Sequence, residues 1–221
     1  MGKYDQAQNY DDKAFVIRVA LYGPNHPDVA TCYNNKAWIC MKQGQYDEAL
    51  EFYNHALRIL MHNYGENHPL VATCYFNIGQ TYYGQEEYDK SAEYHLKALS
   101  LRQALLPSNH PDLAYSYNDI GNLCLDLGQY DNALIYLDNA LAIWSAAYGI
   151  NHPMVLRCRG NIGSAYMLKG LDFGQQGDFE ASLDNLNRAL PLLKTAYGDD
   201  YEIVIQLQQI IDKMQSINQQ K

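Results

Sequence analysis

Four imidazoles at a constant interval are the first feature of this sequence with a chemical use. His26, His68, His110 and His152 are each followed by proline and recur every 42 residues. Histidine ligates metals, but zinc needs its nitrogen ligands at ~2 Å from a single point. Side chains one period apart in a stack of helices are displaced by about 10 Å, the thickness of a helix layer. A structural cap at a helix N-terminus therefore explains the four His-Pro steps better than a metal site. His55 and His62 stand seven residues apart on one helical face; such a spacing can hold a metal, and more often gives an exposed or core pair. Cys32, Cys74 and Cys158 share one repeat position and Cys40 and Cys124 another, with no CxxC pair. They read as small packing residues in a reducing, cytosol-like compartment. Gly160-Asn161-Ile162-Gly163 lacks the spacing and the preceding strand of a phosphate loop. No Ser/His/Asp set is recognisable, so neither catalysis nor a cofactor is expected.

Charge and composition narrow the partners. The 221 residues carry 16 Lys+Arg against 25 Asp+Glu, a formal charge of −9. A phosphate-backbone binder needs clustered cations, so nucleic acid is excluded as a partner. The mean hydropathy of −0.39 excludes a membrane span. Aromatic content is dominated by 20 Tyr against 5 Phe and 2 Trp, which calls for a fold that uses rings with a polar tip.

The elements that must position these residues follow from the 42-residue period. Gly44, Gly128 and Gly170 share one position, with Glu86 departing; Tyr46, Tyr88 and Tyr130 share the position two further on, and Ala56, Ala98 and Ala140 continue the set. Each period reads as two helices. The first starts at the His-Pro step, with proline at the first helical position, where its missing N–H is not needed. The second starts near Tyr46-Asp47, where acids at one equivalent place suit the positive end of the helix. It ends at Tyr-Gly pairs such as Tyr64-Gly65, where glycine can take the left-handed C-cap conformation. Leu106-Pro107-Ser108 stops one helix by proline instead.

Paired helices with Gly, Tyr and Ala in this order resemble the tetratricopeptide repeat (TPR). Its pattern of alternating large and small residues is recognisable at Tyr75, Gly79, Tyr82, Ser91, His95 and Ala98. Ala37 stands for the small glycine, Cys40 and Cys124 for the first-helix aromatic, and Leu137 and Leu186 for the second. The period is about two helical turns longer than the usual ~34. That longer variant, with His-Pro-Asp-Val-Ala opening the repeat and Asn34-Asn35 inside the first helix, looks like the repeats of kinesin light chains and their relatives. The resemblance covers roughly residues 1 to 199. It implies an all-α fold, a right-handed superhelix (α-solenoid) of antiparallel helix pairs. The repeats fall at 1–23 (a second helix alone), 24–65, 66–107, 108–149 and 150–198, followed by a capping helix at 200–217 and a polar tail at 218–221.

The same resemblance places ligand contacts on the exposed positions of the first helices, which line the concave wall in the family. One wall position holds Asn35, Asn77, Asp119 and Asn161; the next turn holds Trp38, Gln80, Asn122 and Ser164; a preceding one holds Asn34, Phe76, Asn118 and Gly160. Asn and Gln both donate and accept hydrogen bonds without charge, which suits an extended peptide backbone. Trp38, Phe76, Tyr83 and Tyr115 add flat apolar area. The plainer alternative is that these amides solvate the groove or brace neighbouring repeats. The wall offers Lys42 and Arg157 set against Asp119 and Asp126, so a neutral or partly basic segment is preferred over an acidic one. The implied function is a protein-protein interaction scaffold such as a kinesin light chain-like cargo adaptor, with a regulatory segment contacting its own larger protein as the alternative.

Two further expectations concern the irregular parts. Residues 171–177 (Leu171 to Gly177) are an insertion, because Phe179 takes the Tyr46 place and Ala189 the Ala56 place only after a slip of seven. It either lengthens the helix by two turns or, as Gly174 and Gly177 favour, forms a flexible loop carrying Phe173. Gly2 to Ala7 align with Gly44 to Ala49, so the chain opens on a second helix whose first is missing, as in a fragment or a degraded array end. Its uncovered face around Ala7, Tyr10, Ala14 and Ile17 predicts self-association.

Overall fold

The computed structural model describes the backbone of residues 2–218 and the side chains of residues 10–216. All ten elements among them are helices: α1 (Gly2–Tyr22), α2 (Pro27–Lys42), α3 (Tyr46–Tyr64), α4 (Pro69–Gly84), α5 (Tyr88–Leu105), α6 (Pro111–Asp126), α7 (Tyr130–Tyr148), α8 (Pro153–Gln175), α9 (Phe179–Tyr197) and α10 (Glu202–Asn218). They fall into two compact units, Met1–Ser108 and Asn109–Lys221. In the first, α2 pairs with α3 and α4 with α5, and α1 packs on α2; in the second, α6 pairs with α7 and α8 with α9, and α10 packs on α9. The tail expected at 218–221 lies, beyond Asn218, outside the described residues.

Each first helix is started by its histidine. Nδ1 of His26, His68, His110 and His152 accepts the backbone N–H of Asp28, Leu70, Asp112 and Met154 at 3.2–3.3 Å, and proline fills the first helical position. This bond satisfies one of the donors that a helix start leaves open. Three of these rings also stack on the tyrosine that ends the preceding helix: Tyr22–His26, Tyr64–His68 and Tyr148–His152, at centroid distances of 4.6, 4.2 and 4.7 Å. The imidazoles are joints between helices.

The first helices end alike. The N–H of Gln45, Glu87, Gln129 and Asp178 reaches back to the carbonyls of Cys40, Tyr82, Cys124 and Phe173, while that of Gly44, Glu86, Gly128 and Gly177 bonds to Met41, Tyr83, Leu125 and Gly174. This is the Schellman arrangement, whose turning residue needs a positive φ. Glu86 supplies it at φ 62 without the freedom of glycine, at a cost of about 1 kcal/mol. Glu86→Gly is expected to stabilise the protein by about that amount, read as a higher urea midpoint at unchanged slope; a lower midpoint would show that the glutamate side chain contributes more than its backbone costs. At the second-helix ends the expected left-handed cap is replaced by a different geometry. Gly65 has φ 78 and ψ 178, a region almost reserved for glycine, because the chain must run straight from there to the next His-Pro step.

The insertion is helical, which corrects the loop expectation. α8 runs unbroken from Pro153 to Gln175, Phe173 is half-buried within it with Lys169 Nζ 5.9 Å from its ring centroid, and Gly177 makes the turn at φ 85. Gly170 therefore does not belong with Gly44 and Gly128. It lies under Leu186 as Gly121 lies under Leu137: an added Cβ would come within 2.8 and 2.7 Å of those side chains. Seven residues are close to two full turns, so the helix lengthens without rotating its faces.

Small residues on first helices receive large ones from second helices. In the first unit Val29, Ala30, Ala56, Ile59, Leu60, Val71 and Cys74 form one core and Ala37, Cys40, Ala49, Tyr53 and Ile78 another. In the second unit, Trp144, Leu137, Ala140, Val155, Cys158 and Ile162 form one, and Leu186, Ala189, Leu193, Val204, Leu207 and Ile211 join α10 to α9. The places of Tyr33, Ala37 and Cys40, which receive a second helix, hold Gln208, Asp212 and Gln215 on α10, half-buried or exposed. α10 thus buries one face and leaves the other to solvent.

Candidate functional site

The face of interest is built on the outer sides of the first helices. On α2, Asn35, Trp38 and Lys42 fall on one side at intervals of three and four residues, as do Asn77 and Gln80 on α4, and Tyr115, Asp119 and Asn122 on α6, and Arg157, Asn161 and Ser164 on α8. In the first unit α2 lies beside α4; in the second α6 lies beside α8. Each unit therefore carries its own two-helix stretch of wall.

In the first unit Trp38 is 46 % exposed, with Lys42 Nζ 5.7 Å from its ring centroid, and Tyr83 is 39 % exposed beside Tyr88. Asn35 is exposed and donates to Asp11 Oδ1 of α1 at 3.1 Å, next to the Lys36–Asp12 ion pair at 2.6 Å. Asn77 and Gln80 are half-buried. In the second unit Tyr115 is set edge-on against Trp144 at 5.3 Å, Arg157 is exposed, and Asp119, Asn122 and Ser164 are half-buried. Among the described residues, the side chains of Asn77 and Asn122 make no hydrogen bond.

One of the three expected wall positions turns inward. Asn118 is only 3 % exposed; its amide donates to Asp119 at 3.1 Å, and its carbonyl accepts from Asn161 of α8 at 3.2 Å. Asn34 Oδ1 likewise accepts from Cys74 Sγ of α4 at 3.4 Å. Phe76 lies against His95 and under the Arg102 guanidinium, and Gly160 is buried beneath Tyr197. At this place Asn34, Phe76 and Asn118 make contacts that brace neighbouring helices, Asn118 buried and the other two half-buried. The reason is geometric: one residue along a helix rotates the side chain by about 100°, enough to carry it from the open face to the seam.

All five cysteines are buried and unpaired, and burial pushes the Cys74 and Cys158 thiols up to about 11 and 12, so they are inert as nucleophiles. The tyrosine hydroxyl of Tyr53 is fully buried with no hydrogen-bond partner, and its ionisation is suppressed by that burial. No helix among the described residues is long and apolar enough to cross a membrane. On α1, Tyr10 and Ile17 are 74 % and 57 % exposed and Ala14 is half-buried; the side chain of Ala7 lies outside the described residues. Arg58, to which the spacing of His55 and His62 gives no pointer, joins them in a cleft beside α3. Comparing second-helix positions at the repeat interval is the signal that exposes it.

A tetratricopeptide repeat profile matches residues 1–62, 39–104 and 112–171. The chain belongs to the tetratricopeptide repeat family. No curated protein is significantly similar in sequence. Among solved structures, this TPR chain is similar to BtubC (BKLC) from P. vanneervenii, with a TM-score of 0.67 and 24% identity over 91% of this chain and 76% of that one. It is also similar to a kinesin light chain-type protein of nearly identical TPR-like repeats from Podosopora anserina, with a TM-score of 0.66 and 17% identity over 89% and 90% of the two chains. MamA follows with a TM-score of 0.54 and 16% identity over 86% and 89%. At these identities the likeness establishes the fold alone, a TPR solenoid. TPR arrays are scaffolds for protein-protein interaction, and the coarse function of this one follows from its family.

Proposed function

We propose that this TPR chain is a non-catalytic adaptor that binds an extended, neutral or partly basic peptide segment along its first helices, as a kinesin light chain-like protein binds cargo. The observation that carries the reading is made in each unit by itself, a set of amides and exposed rings at three- and four-residue intervals: Asn35 and Trp38 on α2 with Asn77, Gln80 and Tyr83 on α4 in the first, and Asn122 on α6 with Asn161 and Ser164 on α8 in the second. Amides pair with a peptide backbone in either sense, and exposed rings cover its side chains at low entropic cost. Asp119 and Asp126 oppose an acidic ligand. The five buried thiols suit a reducing compartment.

The test is a peptide array read by fluorescence polarisation, with each hit resynthesised in acidic and basic versions. The basic version should bind more tightly, and preference for the acidic one sinks the charge argument. Asn77→Ala for the wall of the first unit and Asn122→Ala for that of the second should each weaken binding about fivefold, the worth of one neutral hydrogen bond. Unchanged affinity in both variants would remove the amides from the interface.

A further inference from the structure

The seam between each repeat linker and the following second helix opens into a cleft, and the repeat supplies two copies of it in the first unit. One, of about 490 Å³, is framed by Asn25, Tyr33 and Ile59; the other, of about 540 Å³, by Asn67, Tyr75 and Leu101, the residues 42 positions on. The frame is a product of the fold. The decoration is not. Where the second cleft has Lys97, Ser100 and Ala104, the first has His55, Arg58 and His62.

We propose that the first of these clefts binds an oxyanion, a phosphoryl group. Arg58 lines the cleft, and its Nη2 donates to His55 Nδ1 at 3.0 Å. His55 stacks on Tyr33 at 5.1 Å with an angle of 18° between the rings. The opposite lip is held in place, because Asn63 Nδ2 donates to the Asn25 carbonyl at 2.9 Å. One guanidinium and two imidazoles, all on exposed residues, bring one fixed positive charge and several N–H donors together in a chain whose formal charge is −9. A guanidinium matches two oxygens of a tetrahedral anion in its plane, and an imidazole N–H serves another. A phosphoryl group, with three acceptor oxygens and close to two charges, uses three such donors where a carboxylate uses two. The acid on the same helix one turn before His55, Glu51, is not part of the lining.

The second cleft is a control built into the molecule. It is lined by Glu66 and Glu93 as well as Lys97, whose ammonium is already bonded to Glu93. The same shape there repels an anion. The cleft is also separate from the peptide-binding wall, since Tyr33 faces α3.

The full chain with histidine rings labelled for NMR, titrated first with inorganic phosphate and then with a short phosphoserine peptide, tests the assignment. Saturable shifts confined to the rings of His55 and His62 are expected, with Arg58→Ala weakening binding roughly 10-fold or more and Lys97→Ala, in the second cleft, leaving it unchanged. A peptide that binds more tightly than phosphate identifies a phosphorylated protein as the source, and equal affinity identifies the free anion; either result supports the site. Absence of saturable binding by both, or the same affinity in Arg58→Ala and the unaltered protein, overturns it. Arg58 is exposed, so its variant retains the fold, and a His55→Gln, His62→Gln variant that still binds equally well would also overturn it.

Discussion

Trp144→Ala is expected to destabilise the protein by about 3–5 kcal/mol, the range for removing a fully buried large side chain. Trp144 is 0 % exposed and is the largest side chain in the core that joins α7 to α8, among Leu137, Ala140, Val155, Cys158 and Ile162. Its helix cannot slide to fill the vacancy, because Leu137 is seated over Gly121 at the other end of the same face. Thermal unfolding should shift down by roughly 6–20 °C. Trp144→Phe should cost much less, since Nε1 is buried without a partner and its loss removes an unsatisfied donor. The effect extends to the wall: Tyr115 rests edge-on against this ring, so the alanine variant also frees Tyr115 to change rotamer. A loss below about 1 kcal/mol would mean that α7 and α8 collapse onto the cavity, which is measurable by the same unfolding curves.

Pro191→Ala should act in the opposite direction. α9 continues through Pro191 from Phe179 to Tyr197, although an interior proline removes one backbone bond and crowds the preceding turn, at ~3 kcal/mol. The residue is exposed, and the equivalent place on α7 is Ala142, so alanine fits. Part of the gain is offset because proline also restricts the unfolded chain, by about 0.4–1 kcal/mol. A net stabilisation of about 2 kcal/mol is expected, seen as a melting temperature higher by roughly 4–8 °C. A drop would show that the locally altered helix is needed for the fit of Leu186, Ala189 and Leu193 against α10. That burial explains why the helix tolerates proline at all: three core side chains on one face outweigh one lost hydrogen bond.

The frame of the fold was legible because its signals are local. A histidine that caps its own helix reaches only two residues along the chain, and a proline at the first helical position acts on its own backbone. Such features repeat wherever the sequence repeats, so the interval of 42 residues alone was enough to place helix starts and the small residues beneath large ones. The excess of tyrosine belongs to the same class. Tyr33 stacks on His55, Tyr75 lies against Tyr94, and Tyr117 against Tyr136, each ring wedged between a first and a second helix.

What the sequence determined by itself was the class of fold, the family and the starts of the first helices, since these rest on spacing and on bonds between near neighbours. Only the tertiary structure decided which amides face outward. Asn118 and Asp119 are adjacent and alike in size, yet the first is sealed by α8 and the second is not. It also decided that the two glycines of residues 171–177 would not open a loop, because Phe173 and Leu171 find cover against neighbouring side chains and the helix keeps its hydrogen bonds. The same holds for the cleft at His55, Arg58 and His62. Its donors are written in the chain, but the lip that turns three side chains of one helix into a cleft is contributed by a linker about 30 residues away.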